Sequence, residues 1–241
     1  MDIVIPLALN GLYEELRYTL RSIAANARDL GRIFIVTERL PSWIQNVEHA
    51  HAKDIYPANK DANLIRKVLI ACQREDLTDR FLFWSDDQVL LHPMQLPAIP
   101  ITYGDKKVDE KSTLTWRNRL YNTGTLLKRL GMPIVFYDTH CPQPYNKTEF
   151  IDIFSKLNYV DAPGYCINTA FFNQLDLQQE TLIHMHDVKM TFETKTNSHE
   201  VANQIASESL KYFLGHNDLG WKNGVRQYLE RTYSCKCQFE K

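Results

Sequence analysis

The sequence predicts an α/β protein: a three-layer α/β/α nucleotide-binding fold with a mostly parallel sheet and a mixed C-terminal part. Three observations predict it. Short β-branched and aromatic runs alternate with amphipathic stretches through the first half of the chain. The opening order is strand, helix, strand, which brings two strands side by side in parallel through a crossover. Two adjacent carboxylates, Asp86 and Asp87, stand where the third apolar run ends. Open α/β sheets bind ligands beyond the carboxyl ends of their strands. At 241 residues the chain reads as one domain over 1–241, with a ligand-binding half at 1–95 and a mixed half at 96–241.

Residues 3–7 (IVIPL) form the first expected strand. Gly11 marks a turn. Leu12, Leu16, Leu20, Ile23 and Ala27 then recur at helical spacing, with Arg17, Arg21 and Arg28 off the stripe. Gly31 is the expected stop, and 32–37 (RIFIVT) the second strand. Asn59 or Asp61 can cap the next helix, whose apolar residues are Leu64, Ile65, Val68, Leu69 and Cys72. Residues 81–85 (FLFWS) follow as a buried strand, and 88–92 as a short one. From 97 to 131 the pattern weakens, with a helix expected near 122–130. A strand is expected at 133–137 and a helix at 147–157. A helix capped by Ser198 (198–207), a short strand (210–214) and a closing helix (223–232) complete the reading.

Composition excludes some functions. A formal net charge of −1 supplies no global field for nucleic acid or anionic membrane. No stretch approaches the ~18 apolar residues of a membrane span, and residues 1–6 do not resemble a secretory signal. Five cysteines, an odd and scattered set, suit free thiols in a reducing cytoplasm. Cys235 and Cys237 lack a second ligand pair, so no zinc site is expected.

Two neighbouring carboxylates repel unless a cation offsets them. Mg²⁺ is usually held by one or two carboxylates plus phosphate oxygens, so Asp86 and Asp87 are expected metal ligands for a phosphorylated molecule. His140, in the turn-rich stretch 137–145, is a candidate base. Asp218, after the apolar run at 213–214, is expected to complete the metal shell or to orient His140. His184 and His186 would share one side of a strand, but lack a third ligand. Between 105 and 129, Lys106, Lys107, Lys111, Arg117, Arg119, Lys128 and Arg129 face three acids, with Trp116 and Tyr121 among them. Such a patch could hold a polyanion by phosphate contact and stacking, or a sugar against the indole.

Residues 15–23 (ELRYTLRSI), Asn26-Ala27, 33–37 (IFIVT), 41–44 (PSWI) and the strand ending Trp84-Ser85-Asp86-Asp87 together resemble the second conserved block of the Stealth proteins. Residues 138–142 (DTHCP) with Tyr145 and Lys147 resemble the third block, and 213–218 the fourth. The resemblance implies a sugar-phosphate transferase with functional residues at His140 and Asp218. The first block of that family has no counterpart. Residues 3–7 with Asn10 instead resemble the opening of inverting glycosyltransferases of the GT-A fold. The expected activity is therefore metal-dependent glycosyl transfer from a nucleotide-sugar, UDP-linked, to a hydroxyl acceptor, with Mn²⁺ or Mg²⁺ as cofactor. Residues 1–95 would be the nucleotide-sugar half and 96–241 the acceptor side. Pro6, Leu7, Thr37 and Glu38 would lie along the base and ribose. Arg17 and Lys60 are candidate phosphate contacts, beside Asp86. The acceptor is expected to be a glycan, or hydroxymethylated pyrimidine in DNA in the cytoplasm of a bacterium or a phage-infected host. Sugar-1-phosphate transfer, and a non-catalytic glycan- or nucleic-acid-binding module, are the alternatives.

Overall fold

The computed structural model describes residues 1–8, 13–108, 110–112 and 114–241. The expectations placed on Asn10, Gly11 and Leu12 lie outside them. In chain order the first part comprises β1 (Asp2–Pro6), α1 (Glu14–Asn26), β2 (Ala27–Arg28), β3 (Ile33–Thr37), β4 (Glu48–His51), α2 (Lys60–Cys72) and β5 (Arg80–Phe83). Then come β6 (Val89–Leu90), β7 (Met94–Gln95), β8 (Ile101–Tyr103), α3 (Thr115–Leu130), β9 (Gln143–Asn146), α4 (Lys147–Lys156) and α5 (Ile167–Phe172). The last part holds β10 (Leu182–His184), α6 (Met185–Val188), β11 (Lys189–Phe192), α7 (Ser198–Ser207), β12 (Phe213–His216), α8 (Asp218–Gly220) and α9 (Arg226–Thr232). A π-helical turn, Trp221–Val225, joins α8 to α9.

The central sheet runs β4-β3-β1-β5-β9, parallel except for β9 at its edge. Its inner strands are buried on both faces, which is why they read as unbroken apolar runs. Alternation sorts their side chains into two cores. Val4, Phe34, Val36, Phe81 and Phe83 pack with Ile65, Val68 and Ala71 of α2 and with Phe150 and Phe171. Ile3, Ile5, Ile33, Ile35, Leu82 and Trp84 pack with Leu16, Leu20 and Ile23 of α1. Helices α1 and α2 thus cover opposite faces, giving three layers. The chain moves one way from β1 to β3 and the other way to β5, so the strand order reverses beside β1. Such a switch point is where open α/β sheets hold ligands, and the Asp86-Asp87 turn follows β5 there.

The second half is mixed, as expected, with four corrections. No strand forms at 133–137, where only Phe136 bridges to Gly104. The strand is β9, hidden in sequence by Pro144, which a sheet tolerates at its edge. The expected helix near 122–130 starts earlier, at Thr115. The strand expected at 210–214 lies three residues on, at Phe213–His216. Asn59 caps α2 through Ala62 N, whereas α7 is capped by Asn197, not Ser198, in a capping box with Glu200. A smaller sheet, β11-β12-β6, packs beside α1, and its β12 is antiparallel to β6. Among the described residues no helix is long and apolar enough to cross a membrane.

Candidate active site at the switch point

Two antiparallel pairings converge on the Asp86-Asp87 turn. Strand β9 pairs Phe83 with Gln143 and Leu82 with Pro144. Continued past the strand ends, that register sets His140 across from Asp86. Strand β12 pairs Leu214 with Val89, and the same continuation sets His216 across from Asp87. His140 therefore reaches the rim from the start of an antiparallel strand, not from the end of a parallel one.

The turn is fixed from beneath. Gln88 Oε1 accepts from Ser85 N (3.0 Å), the Gln88 carbonyl accepts from Trp84 Nε1 (2.8 Å), and Thr19 Oγ1 donates to the Asp86 carbonyl (2.8 Å). The His140 loop is fixed as firmly. Buried Gln143 donates through Nε2 to the carbonyls of Thr102 (2.9 Å) and Tyr137 (3.0 Å), and its Oε1 accepts from Thr102 N (3.0 Å). Lys189, 6% exposed, donates to the Thr139 carbonyl at 2.8 Å. These contacts hold His140 at φ 57°, a left-handed conformation that costs a non-glycine residue energy and is enriched at functional sites.

His140 Nε2 lies 2.8 Å from Asp87 Oδ2. Burial alone would raise the Asp87 carboxyl, but His140 prevails and holds it below the usual carboxylate range. An ionised carboxylate only accepts, so Nε2–H donates, and in the neutral ring the lone pair is then on Nδ1. Asp86 shifts the other way: burial, then the Asp87 charge, pushes its carboxyl up. Glu15 of α1 joins the cluster, raised to about 7 by burial and by Asp87, Asp86 and Asp218. His216 lies 4.0 Å from Glu15 and stacks on Trp221 at 5.0 Å. Burial pushes its pKa down, which favours the neutral ring. Asp87 Oδ1 and His216 Nε2 are shielded from solvent with no hydrogen-bond partner.

These residues suit a cation. Asp87 Oδ1 is an orphaned carboxylate oxygen, and the charges of Asp87, Asp86 and Asp218 raise the cost of ionising Glu15, as a bound cation would relieve. Among the described residues, however, no three Asp, Glu, His or Cys side chains form a ready metal shell. A cation here would take ligands from its own substrate, the habit of Mg²⁺.

The other expected residues fare differently. Asp218, exposed at the start of α8, is close enough to raise Glu15, but the residue that orients His140 is Asp87. Lys60, exposed at the start of α2, lies within electrostatic reach of Asp86 and favours its ionised form. Arg17 is withdrawn from the phosphate role: it pairs with Glu240 and stacks 4.3 Å over Trp43. Residues two apart on a helix point opposite ways, so Glu15 facing the site turns Arg17 from it. Pro6, Leu7 and Thr37 sit at the carboxyl ends of β1 and β3 but are buried. The Leu7 carbonyl is taken by Lys67 Nζ (2.8 Å) and that of Thr37 by Ala52 N (3.0 Å), while Thr37 Oγ1 is buried without a hydrogen-bond partner. Glu38 is on the rim, 3.5 Å from Lys53. His184 and His186 do not share a strand face: His184 ends β10, 2.9 Å from Asp105, and His186 is in α6.

Glu15, Lys189 and His216 escape sequence reading. Glu15 lay inside an amphipathic stripe, and Lys189 in a run without a functional neighbour. His216 carried the best signal, inside the stretch 213–218 and two residues from Asp218. No protein-family model matches the chain, and no curated protein is significantly similar to it.

Proposed function

We propose that this protein transfers a sugar from a nucleotide-sugar to a hydroxyl acceptor, with Asp86 and Asp87 holding a divalent cation, Mg²⁺ or Mn²⁺, and His140 acting as base. The observation that carries the reading is the Asp87–His140 pair at the sheet's switch point, with the second Asp87 oxygen left without a partner. The acceptor O–H gives its proton to His140 Nδ1, and the Asp87 carboxylate stabilises the imidazolium that results. The acceptor oxygen bonds to the anomeric carbon as the bond from that carbon to the diphosphate breaks, and the electron pair leaves with the nucleoside diphosphate. The cation, when bound, supplies charge neutralisation on that leaving group. Lys60, within electrostatic reach of Asp86, would contact the same phosphates. The mostly parallel sheet with its rim site supports the reading, as does the resemblance in the blocks around residues 15–44, 84–87, 138–147 and 213–218.

The test is turnover with a panel of nucleotide-sugars and Mn²⁺, followed by identification of the nucleotide released. Asp87→Asn and His140→Ala should each lower turnover by about 10²–10⁴-fold, the usual worth of a positioned base. Nucleoside diphosphate release supports glycosyl transfer, and monophosphate release would replace it with sugar-phosphate transfer. Full turnover in both folded variants, or no binding of Mn²⁺ and nucleotide by calorimetry, overturns the assignment.

A further inference from the structure

A second feature lies on the acceptor side. Lys106, Lys107, Glu110, Trp116, Arg117 and Leu120 line a cavity of about 190 Å³. It shares Lys106 and Lys107 with a groove of about 420 Å³ that runs along 103–108 and 134–136. Two cations flank the indole: Lys106 Nζ is 4.9 Å from the Trp116 ring centroid and the Arg117 guanidinium 5.3 Å. Lys106 is also 5.4 Å from the Phe136 ring. The groove borders the segment that runs into the His140 loop. Phe136 is four residues before His140, and Lys106 is near enough to Lys189 to depress its pKa, though burial is the larger cause. Lys189 in turn grips the Thr139 carbonyl.

The chemistry of the lining narrows the ligand. A neutral sugar needs acceptors as well as donors for its hydroxyls. Two acids border the groove: Glu110 lies 2.9 Å from Lys107, and Asp105, largely exposed, stands 2.9 Å from His184. Lys106 and Arg117 are exposed and donate only, which matches phosphate oxygens, which only accept. Arg119 does not belong to this surface, because it turns inward to Asp61 at 2.9 Å. We infer that this groove binds single-stranded nucleic acid, Lys106 and Arg117 turning from the indole to the flanking phosphates as a base takes their place against Trp116, and that it leads the acceptor strand toward His140. The binding stands without the transferase reading; its role as acceptor guide rests on it.

The experiment is fluorescence anisotropy of a labelled pyrimidine-rich single-stranded DNA, without metal or nucleotide-sugar, across a salt series. The whole chain should bind, with log affinity falling linearly as log salt rises. Lys106→Gln and Arg117→Gln, both exposed and so compatible with folding, should each flatten that slope by ~0.7. Trp116→Leu should weaken binding about tenfold, within the usual range for a lost base stack. Asp87→Asn should leave binding unchanged, which separates this proposal from the transfer reading. Absence of binding at low salt, or binding that all three groove variants retain in full, overturns it. Circular dichroism confirms that each variant is folded.

Discussion

Gly215, in β12, sits against the tether of the His140 loop. A Cβ placed on it would lie 2.7 Å from Lys189 Cε, 3.2 Å from Nζ and 3.5 Å from His140 Cδ2. The first distance is too short to survive, so Lys189 must move. Its side chain is buried, and its ammonium is held at 2.8 Å by the Thr139 carbonyl. Gly215→Ala therefore combines overpacking, about 1–3 kcal/mol, with partial loss of a charge-assisted hydrogen bond worth roughly 1.5–3 kcal/mol. A destabilisation of about 2–4 kcal/mol is expected from these two contributions. Lys189→Leu removes both the obstructing Cε and the bond, so in that background Gly215→Ala should cost no more than about 0.5 kcal/mol. Urea denaturation of the four proteins, followed by tryptophan fluorescence, measures the coupling between the two positions. Equal costs of Gly215→Ala in both backgrounds would show that Lys189 is not the obstacle. Under the proposed function, either substitution also lowers turnover by freeing the turn that presents His140.

Three further outcomes follow from the same geometry. His140→Gly should be more stable than His140→Ala by about 1 kcal/mol, since φ 57° burdens an L-residue by roughly 1–2 kcal/mol and glycine's unfolded-state entropy returns part of that; equal midpoints in urea would refute the strain. Glu15 binds its proton more tightly folded than unfolded, so its ionisation penalises folding as pH rises from about 4.5 to about 7 and stays constant above. In chelator, Glu15→Gln should thus match the parent near pH 4 and exceed it by ~1 kcal/mol at pH 8, a value reduced because the side chain is about one-third exposed; a difference that shrinks with pH would reverse the reasoning. Glu240, with its side chain fully buried, receives Arg21 and Arg17; burial would raise its carboxyl, yet the hydrogen bond from Arg21 keeps it below the usual range. Its stabilisation is lost as pH falls through that lowered value, and Glu240→Gln should cost about 3 kcal/mol in thermal unfolding at neutral pH; a loss under 1 kcal/mol would mean that the two arginines are satisfied elsewhere.

Much of the first half was legible before the fold. Strands buried on both faces cannot alternate with polar residues, so Ile3–Ile5, Ile33–Val36 and Phe81–Trp84 announced themselves as apolar runs. The helices between them showed a stripe, and Asn59 showed a cap. Asp86 and Asp87 stood out because two carboxylates at a strand end need a reason. The second half was less legible because its strands are short and its pairings distant. Gln143–Asn146 carries a proline and two amides, and it is a strand only because β5 offers it an edge.

The sequence by itself determined the parallel βαβ start, the three layers and the acidic turn at the third strand's end, because these depend on local periodicity and on residue type. Only the tertiary structure decided which partners that turn would have. Two antiparallel registers, β9 on β5 and β12 on β6, carry to it His140 and His216, which stand 53 and 129 residues beyond Asp87 in the chain. Register is a property of two strands together, set by which faces are buried, and no single stretch of chain encodes it.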